Sequence, residues 1–283
     1  SFLETKGKEL FIDKVSAEKL AIQYDTPLYV LSEKRIRENY NTLYTTLRRS
    51  YSKIRIYYAV KANSNISVLR ILKKLGSHID AISPGEVFLA LKAGFTPEKI
   101  LVTGTSYRDD ELKFLISKKV TVNIDSLSQL KRLLQIATPE KLSVRVNPEF
   151  GAGHHNHCIT AGKDSKFGLW DTDAVKAYKE AASSGVKKFG IHMHIGSGIL
   201  TVDPYILAIK KMATIAKIIH EKTGVTFEFI DIGGGLGIPY RPNEKEFSLT
   251  AFSRKVISLF KDKIKEYNLG NPALCLEPGR YIV

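Results

Sequence analysis

No apolar run in this chain of 283 residues approaches the roughly 20 needed to cross a bilayer. Residues 1–6, Ser-Phe-Leu-Glu-Thr-Lys, lack the basic stretch followed by an apolar one that marks a secretion signal. A membrane partner is therefore not expected, and a cytoplasmic location is. Only two cysteines occur, Cys158 and Cys275, too few for a disulfide framework in a chain this long and in keeping with a reducing compartment. Acidic charge is the scarcer sign, since 29 Asp and Glu against 43 Lys and Arg leave a formal net charge of +14. That surplus is scattered along helix-like segments such as Lys210-Lys211, Lys217, Lys222 and Lys261-Asp262-Lys263, as solvated helix faces require. With no arginine-rich arm and no zinc-finger spacing, no nucleic-acid partner is expected. The same surplus suits electrostatic steering of a small anionic substrate.

What is present is an ordinary globular composition, 43% hydrophobic and 25% charged, long enough to bury a large core. From residue 54 onward, short runs rich in β-branched residues alternate with amphipathic stretches. Eight such runs fall at 54–60, 78–82, 100–104, 120–125, 142–147, 189–195, 227–232 and 273–277. Helical spacing lies between them, as in Val68, Leu69, Ile71, Leu72 and Leu75, or Ile206, Ile209, Met212, Ile215, Ile218 and Ile219. Eightfold alternation of strand and helix predicts an α/β fold, a (β/α)8 TIM barrel, with a doubly wound open sheet as the competitor. The barrel is favoured because polar residues recur where the runs end: Lys61, Ser83, Thr103, Asp125, Asn147, His194, Gly233 and Glu277. In a barrel those ends meet at one mouth. Two segments break the rhythm. The stretch 148–168 has almost no periodicity and is expected to border the site. Residues 1–31 carry short strands of their own, Leu10-Phe11-Ile12 and Leu28-Tyr29-Val30, around a helical pattern from residue 16 to 24.

Four groups of residues carry chemistry. In Tyr58-Ala59-Val60-Lys61-Ala62-Asn63, Ile54, Ile56, Tyr58 and Val60 alternate as a strand that ends at Lys61. Among apolar neighbours the ammonium is desolvated, so its pKa is expected to fall and the neutral amine to become a nucleophile able to hold a cofactor aldehyde as an imine. A lysine snorkelling to water is the plainer alternative. In His192-Met193-His194-Ile195-Gly196-Ser197-Gly198, alternation puts both histidines on one strand face, and the Gly-Ser-Gly turn offers amides and a hydroxyl to a phosphate. His-x-His also suits a metal-dependent barrel hydrolase, with His154-His155-Asn156-His157-Cys158 as further possible ligands. The glycines of Gly233-Gly234-Gly235-Leu236-Gly237 follow a strand and allow close approach to an anion, or make a tight turn. Finally, Glu277-Pro278-Gly279-Arg280 puts a carboxylate and a guanidinium at one strand end, where a local ion pair is the alternative.

In this order the motifs resemble those of the diaminopimelate decarboxylases, within the alanine-racemase-like group of pyridoxal-phosphate enzymes that includes ornithine and arginine decarboxylases. The resemblance runs through Thr26-Pro27-Leu28-Tyr29-Val30, Tyr58 to Asn63, Asp80 to Glu86, Arg145-Val146-Asn147-Pro148, Ser165-Lys166-Phe167-Gly168 and the three later motifs. It implies a cofactor, pyridoxal 5'-phosphate, and no metal. Lys61 is then the imine-forming lysine, His194 lies against the pyridine ring, and Glu277 keeps the ring nitrogen protonated; these three are the implied catalytic residues. Ser197, Gly235, Gly279 and the Arg280 amide are implied at the phosphate, with Asp80, Gly234 and Pro278 also in the cofactor site and the Arg280 side chain reaching a substrate carboxylate. The implied reaction is decarboxylation of meso-2,6-diaminopimelate to L-lysine, the last step of lysine biosynthesis, by a homodimer with shared active sites. Ornithine, arginine or lysine is the alternative amino-acid substrate. Family members continue into a C-terminal β-domain that residues 1–31 join, leaving 32–283 as the cofactor-binding barrel. On that basis this chain is expected to hold the cofactor but to decarboxylate poorly. The loop 151–162, with its three histidines, departs from the shorter family pattern.

Overall fold

A computed structural model describes residues 2–152, 161–162 and 165–283. Eight parallel strands form a closed barrel: β4 (Ile54–Ala59), β5 (His78–Ala81), β6 (Ile100–Thr103), β7 (Thr121–Ile124), β8 (Lys141–Arg145), β9 (Lys188–His192), β10 (Phe227–Asp231) and β11 (Ala273–Leu276). All eight predicted runs are these strands. The open sheet is excluded because β11 pairs with β4, Leu274 opposite Ile54 and Leu276 opposite Ile56.

Between the strands run α3 (Ile66–Lys74), α4 (Pro84–Ala93), α5 (Asp109–Ser117), α6 (Leu127–Ile136), α7 (Asp171–Ser183), α8 (Asp203–Thr223), and the pair α9 (Leu249–Phe252) and α10 (Ser258–Glu266) joined by a π-helical turn. The ring is completed by α2 (Glu33–Ser50), which precedes β4 and reaches the far end of the chain: Ser50 Oγ lies 2.7 Å from Ser253 Oγ, and Asn39 donates to the Ile282 carbonyl. Local signals set the helix starts. Asn65, Ser83 and Ser126 each accept a hydrogen bond from a first-turn amide, and Pro84 occupies the first turn of α4, where a missing N–H costs nothing.

Alternation then decides what each strand residue meets. Ile54, Ile56, Ile79, Val102, Val122, Val144, Ile191 and Leu274 join the buried layer beneath the helices. The opposite face points into the barrel, where Tyr57, Leu101, Phe229, Ala273 and Cys275 form a separate apolar cluster. Above that cluster the interior turns polar: Asp80, Asn123, Ser143, Arg145, His192, Asp231 and Glu277 are all buried. A barrel whose upper half is filled with titratable side chains has traded core packing for chemistry.

Two expectations need correction. Leu28-Tyr29-Val30 is not a strand: it follows Pro27, which has no amide hydrogen to pair, and Tyr29 is 99% exposed. The expected strand Leu10-Phe11-Ile12 is β2 (Glu9–Ile12), which forms a small antiparallel sheet with β1 (Leu3–Lys6) and β3 (Val15–Ser16), and the helical pattern that follows is α1 (Ala17–Tyr24). Strand β4 stops at Ala59, so Lys61 sits in a one-turn 3₁₀ helix, Val60–Ala62, rather than on the strand. The cluster from His154 to Cys158 lies outside the described residues.

Candidate active site

The ends of the barrel strands open into a cleft of about 930 Å³. Of the residues singled out from the sequence, Lys61, Asp80, Ser83, Thr103, His192, His194, Ser197, Gly235, Glu277, Gly279 and Arg280 line it. Gly234 and Pro278 stand behind its wall. The Gly234 amide donates to His194 Nδ1 at 3.2 Å, and the Pro278 carbonyl accepts from the Ala59 amide at 3.2 Å. Both therefore shape the cleft without lining it.

The glycine run serves packing as much as ligand approach. A Cβ at Gly234 would lie 2.1 Å from the Glu277 carbonyl, and one at Gly237 would lie 2.8 Å from the Gly198 backbone. The loops after β9 and β10 are thus clamped together, Ile199 donating to Gly235 and Gly237 donating back to Ile199, both at 2.9 Å. Gly235 also needs its glycine conformationally, with φ +93°. At this end of the cleft the backbone amides of Ser197, Gly235, Gly279 and Arg280 donate to no acceptor among the described residues. Four amides from three loops are a cradle of the kind that holds a phosphate.

Toward the barrel interior lie the charges. Lys61 Nζ is 3.7 Å from Asp80 Oδ2. The expectation of a lowered lysine pKa is overturned: the Asp80 carboxylate raises it, burial works the other way and is outweighed, and Glu277 adds to the rise. Desolvation was foreseeable from the apolar strand. The acid that offsets it comes from the next strand and was not.

The buried acids divide. Burial, and then Glu277, push Asp80 up to about 8, with Lys61 opposing. Burial and Glu277 also hold Asp231 well above the ordinary range. Burial would raise Glu277 too, but His192, by its charge and its hydrogen bond, together with Lys61 and His194, brings it down to about 2. His192 Nε2 is 3.1 Å from Glu277 Oε2, while Glu277 Oε1 is buried with no partner among the described residues. His194 is pushed down to about 3 by burial, then by Lys61 and Arg145, so it is a neutral imidazole at ordinary pH, with Nδ1 accepting from Gly234.

The site also contains residues that received no role from sequence. Arg145 lines the cleft, stacked 4.6 Å over the Phe167 ring and 3.8 Å from Asp125. Phe167 comes from the aperiodic stretch 148–168, which thus borders the site; Asn147 ties that stretch down, bonding Glu149, Gly162 and Phe167. Tyr107 lies against Gly104 and donates to the Ile82 carbonyl. Alternation along Ser143, Arg145 and Asn147 was the signal that could have found Arg145. Nothing local marks Tyr107.

The hydrolase alternative needed His192 and His194 to converge on one ion. Among the described residues the close group is instead His192, Asp231 and Glu277, with ligand atoms within 4.8 Å of one another. His194 is turned to the Gly234 amide. No helix among the described residues is long and apolar enough to cross a membrane.

A lysine beside an acid, a neutral imidazole, a carboxylate oxygen with no partner among the described residues and a cradle of amides in one cleft fit pyridoxal 5'-phosphate in kind and number. Comparison with known proteins agrees. Residues 34–283 match the family described as "Pyridoxal-dependent decarboxylase, pyridoxal binding domain". A diaminopimelate decarboxylase of Methanothermobacter thermautotrophicus is 54% identical over 276 residues, covering 97% of this chain and 64% of that protein. The structure of a diaminopimelate decarboxylase from M. jannaschii in complex with L-lysine aligns over all of this chain and 67% of that one, with TM-score 0.91 and 31% identity. A lysine/ornithine decarboxylase from Vibrio vulnificus, TM-score 0.76 at 21% identity, shares the fold. The chain thus spans about two thirds of the length of the proteins it resembles.

Proposed function

The chain belongs to the pyridoxal-dependent decarboxylases, its barrel being their pyridoxal-binding domain, and from that premise we propose that it holds pyridoxal 5'-phosphate and serves the decarboxylation of meso-2,6-diaminopimelate to L-lysine. The substrate is carried over from relatives named for that reaction, among them one 54% identical. When bound, the cofactor supplies a sink for the electron pair that stays behind as CO₂ leaves. One observation carries the reading: Lys61 and a low-pKa Glu277, whose Oε1 has no partner among the described residues, line the same cleft.

The chain's own residues then have these tasks. Lys61 is the amine that binds the aldehyde, and Asp80, 3.7 Å away, is placed to take up the proton Nζ must shed. His194, neutral, offers an uncharged face to an aromatic ring and so orients it. Glu277 holds a proton on a ring nitrogen because a buried carboxylate with one satisfied oxygen gains most from a donor at the other. The amides of Ser197, Gly235, Gly279 and Arg280 bind phosphate without a full positive charge. The Arg280 side chain, exposed at the mouth and 5.5 Å over the Tyr240 ring, is available to a substrate carboxylate. In the same proposal the protein works as a homodimer in the cytoplasm, the latter supported by its low cysteine content.

The test does not depend on turnover. Borohydride treatment of the protein mixed with pyridoxal phosphate, followed by peptide mapping, is expected to find one reduced pyridoxyl group, on Lys61. Label on another lysine, or equal label in Lys61→Ala, defeats the proposal.

A further inference from the structure

Among the buried polar groups that line the cleft, His192 has no role in the reading above, yet it makes the one side-chain hydrogen bond that reaches Glu277 among the described residues. Its ring is 1% exposed, on the inward face of β9. An ionised carboxylate can only accept, so at 3.1 Å the shared hydrogen belongs to Nε2 and is donated to Glu277 Oε2. That bond occupies one lobe of the carboxylate and leaves Oε1 for the cleft.

The surroundings explain why such a donor is needed. Asp231 projects inward from β10 and Asp80 from β5, both fully buried; Glu277 pushes the pKa of each upward, and Asp80 adds to the rise of Asp231. Asp231 is partnered by the Gly233 amide at 2.8 Å and Asp80 by Lys61; only Glu277 has an imidazole. Lys61, His194, Arg145 and the buried thiol of Cys275 are the other charged and titratable groups that interact with it. Remove the imidazole and the burial of Glu277 is opposed by the charges of Lys61 and Arg145 alone, His194 being neutral. Glu277 then takes up a proton, and a protonated carboxyl cannot keep another one on a ring nitrogen.

We propose that His192 is the positioning residue for Glu277: its Nε2–H fixes the carboxylate with Oε1 toward the cleft and keeps it ionised among Asp80 and Asp231. The inference rests on the cofactor reading given above and assigns to it a residue that acts through Glu277. It predicts a property of the bound ring rather than a loss of fold.

The experiment loads the protein with pyridoxal phosphate carrying ¹⁵N in its ring and records the ¹⁵N chemical shift across the neutral pH range, with free pyridoxal phosphate titrated in the same buffer as the reference for protonated and unprotonated nitrogen. The wild-type protein is expected to give the protonated shift throughout. His192→Leu is expected to move toward the unprotonated value. His192→Gln, whose amide falls where Nε2 stood, should return the wild-type shift, whereas His192→Asn, whose amide falls nearer Nδ1 and short of Oε2, should not. A wild-type shift in His192→Leu with Lys61 still labelled by borohydride overturns the inference and leaves the cofactor reading intact. Equal behaviour of the Gln and Asn variants overturns it as well, even if the Leu variant fails to fold. Failure of the wild-type protein to take label at Lys61 overturns the cofactor reading and this inference together.

Discussion

The lysine at position 61 shows how far a neighbour can reverse a residue's expected chemistry. Seen in its own strand it is a buried amine with a depressed pKa; beside Asp80 it is a stabilised ammonium. Replacing Asp80 by Asn removes the attraction while leaving the burial, so Lys61 is expected to titrate at lower pH. The sign follows because a carboxylate favours the charged amine and an amide of the same shape does not. Mass-spectrometric measurement of the rate of acylation at Lys61 against pH checks it in the protein free of cofactor. The rise in rate should begin at lower pH in Asp80→Asn than in wild type, and an unchanged profile would mean that Asp80 does not govern Lys61. Asp80 itself could be named from the sequence, as part of the resemblance, but its partner could not. Their meeting requires β4 and β5 to lie side by side with Ala59 opposite Asp80.

At the level of the element, the strands were legible because their outward faces are apolar and rich in β-branched residues, and this pattern survives without knowledge of neighbours. Their ends were less so. Strand β9 stops at His192, yet the apolar alternation runs on to Ile195, because Met193 and Ile195 remain buried after ladder pairing ends. Packing inside the barrel was not readable at all. Gly190, in the middle of β9, looks like a weak point in a strand, but a Cβ there would stand 2.0 Å from the Phe229 ring on β10. Phe229 fills the place a side chain would take, and the Gly190 carbonyl also accepts the Tyr178 hydroxyl at 2.6 Å. Gly190→Ala is therefore expected to destabilise the barrel by about 1–3 kcal/mol through overpacking, measured as a lowered urea midpoint with unchanged slope. Combined with Phe229→Leu it should cost less than the sum of the two single changes, since each relieves the other. Strict additivity would show that the clash is relaxed elsewhere.

For the whole molecule, the barrel and the N-terminal segment are separable questions. Among the described residues, strands β1 to β3 pair only with one another, α1 buries none of its own side chains, and Ile22 and Tyr29 are 79% and 99% exposed. The side chains of Asp13 and Ser32 are hydrogen-bonded where this segment meets the start of α2. A chain beginning at residue 32 is expected to keep the far-UV dichroism per residue and the cooperative melt of the barrel; loss of cooperativity would make the segment part of the barrel's core. Periodicity and turn residues sufficed for eight strands, their order along the chain and the list of reactive side chains, because those signals are local and repeat every two or four residues. Closure of the barrel, the clamp between the two glycine loops, and the division of three buried acids into one ionised and two raised were decided by distance alone. Glu277 and His192 are 85 positions apart in the chain and 3.1 Å apart in space, and charge responds to the second separation.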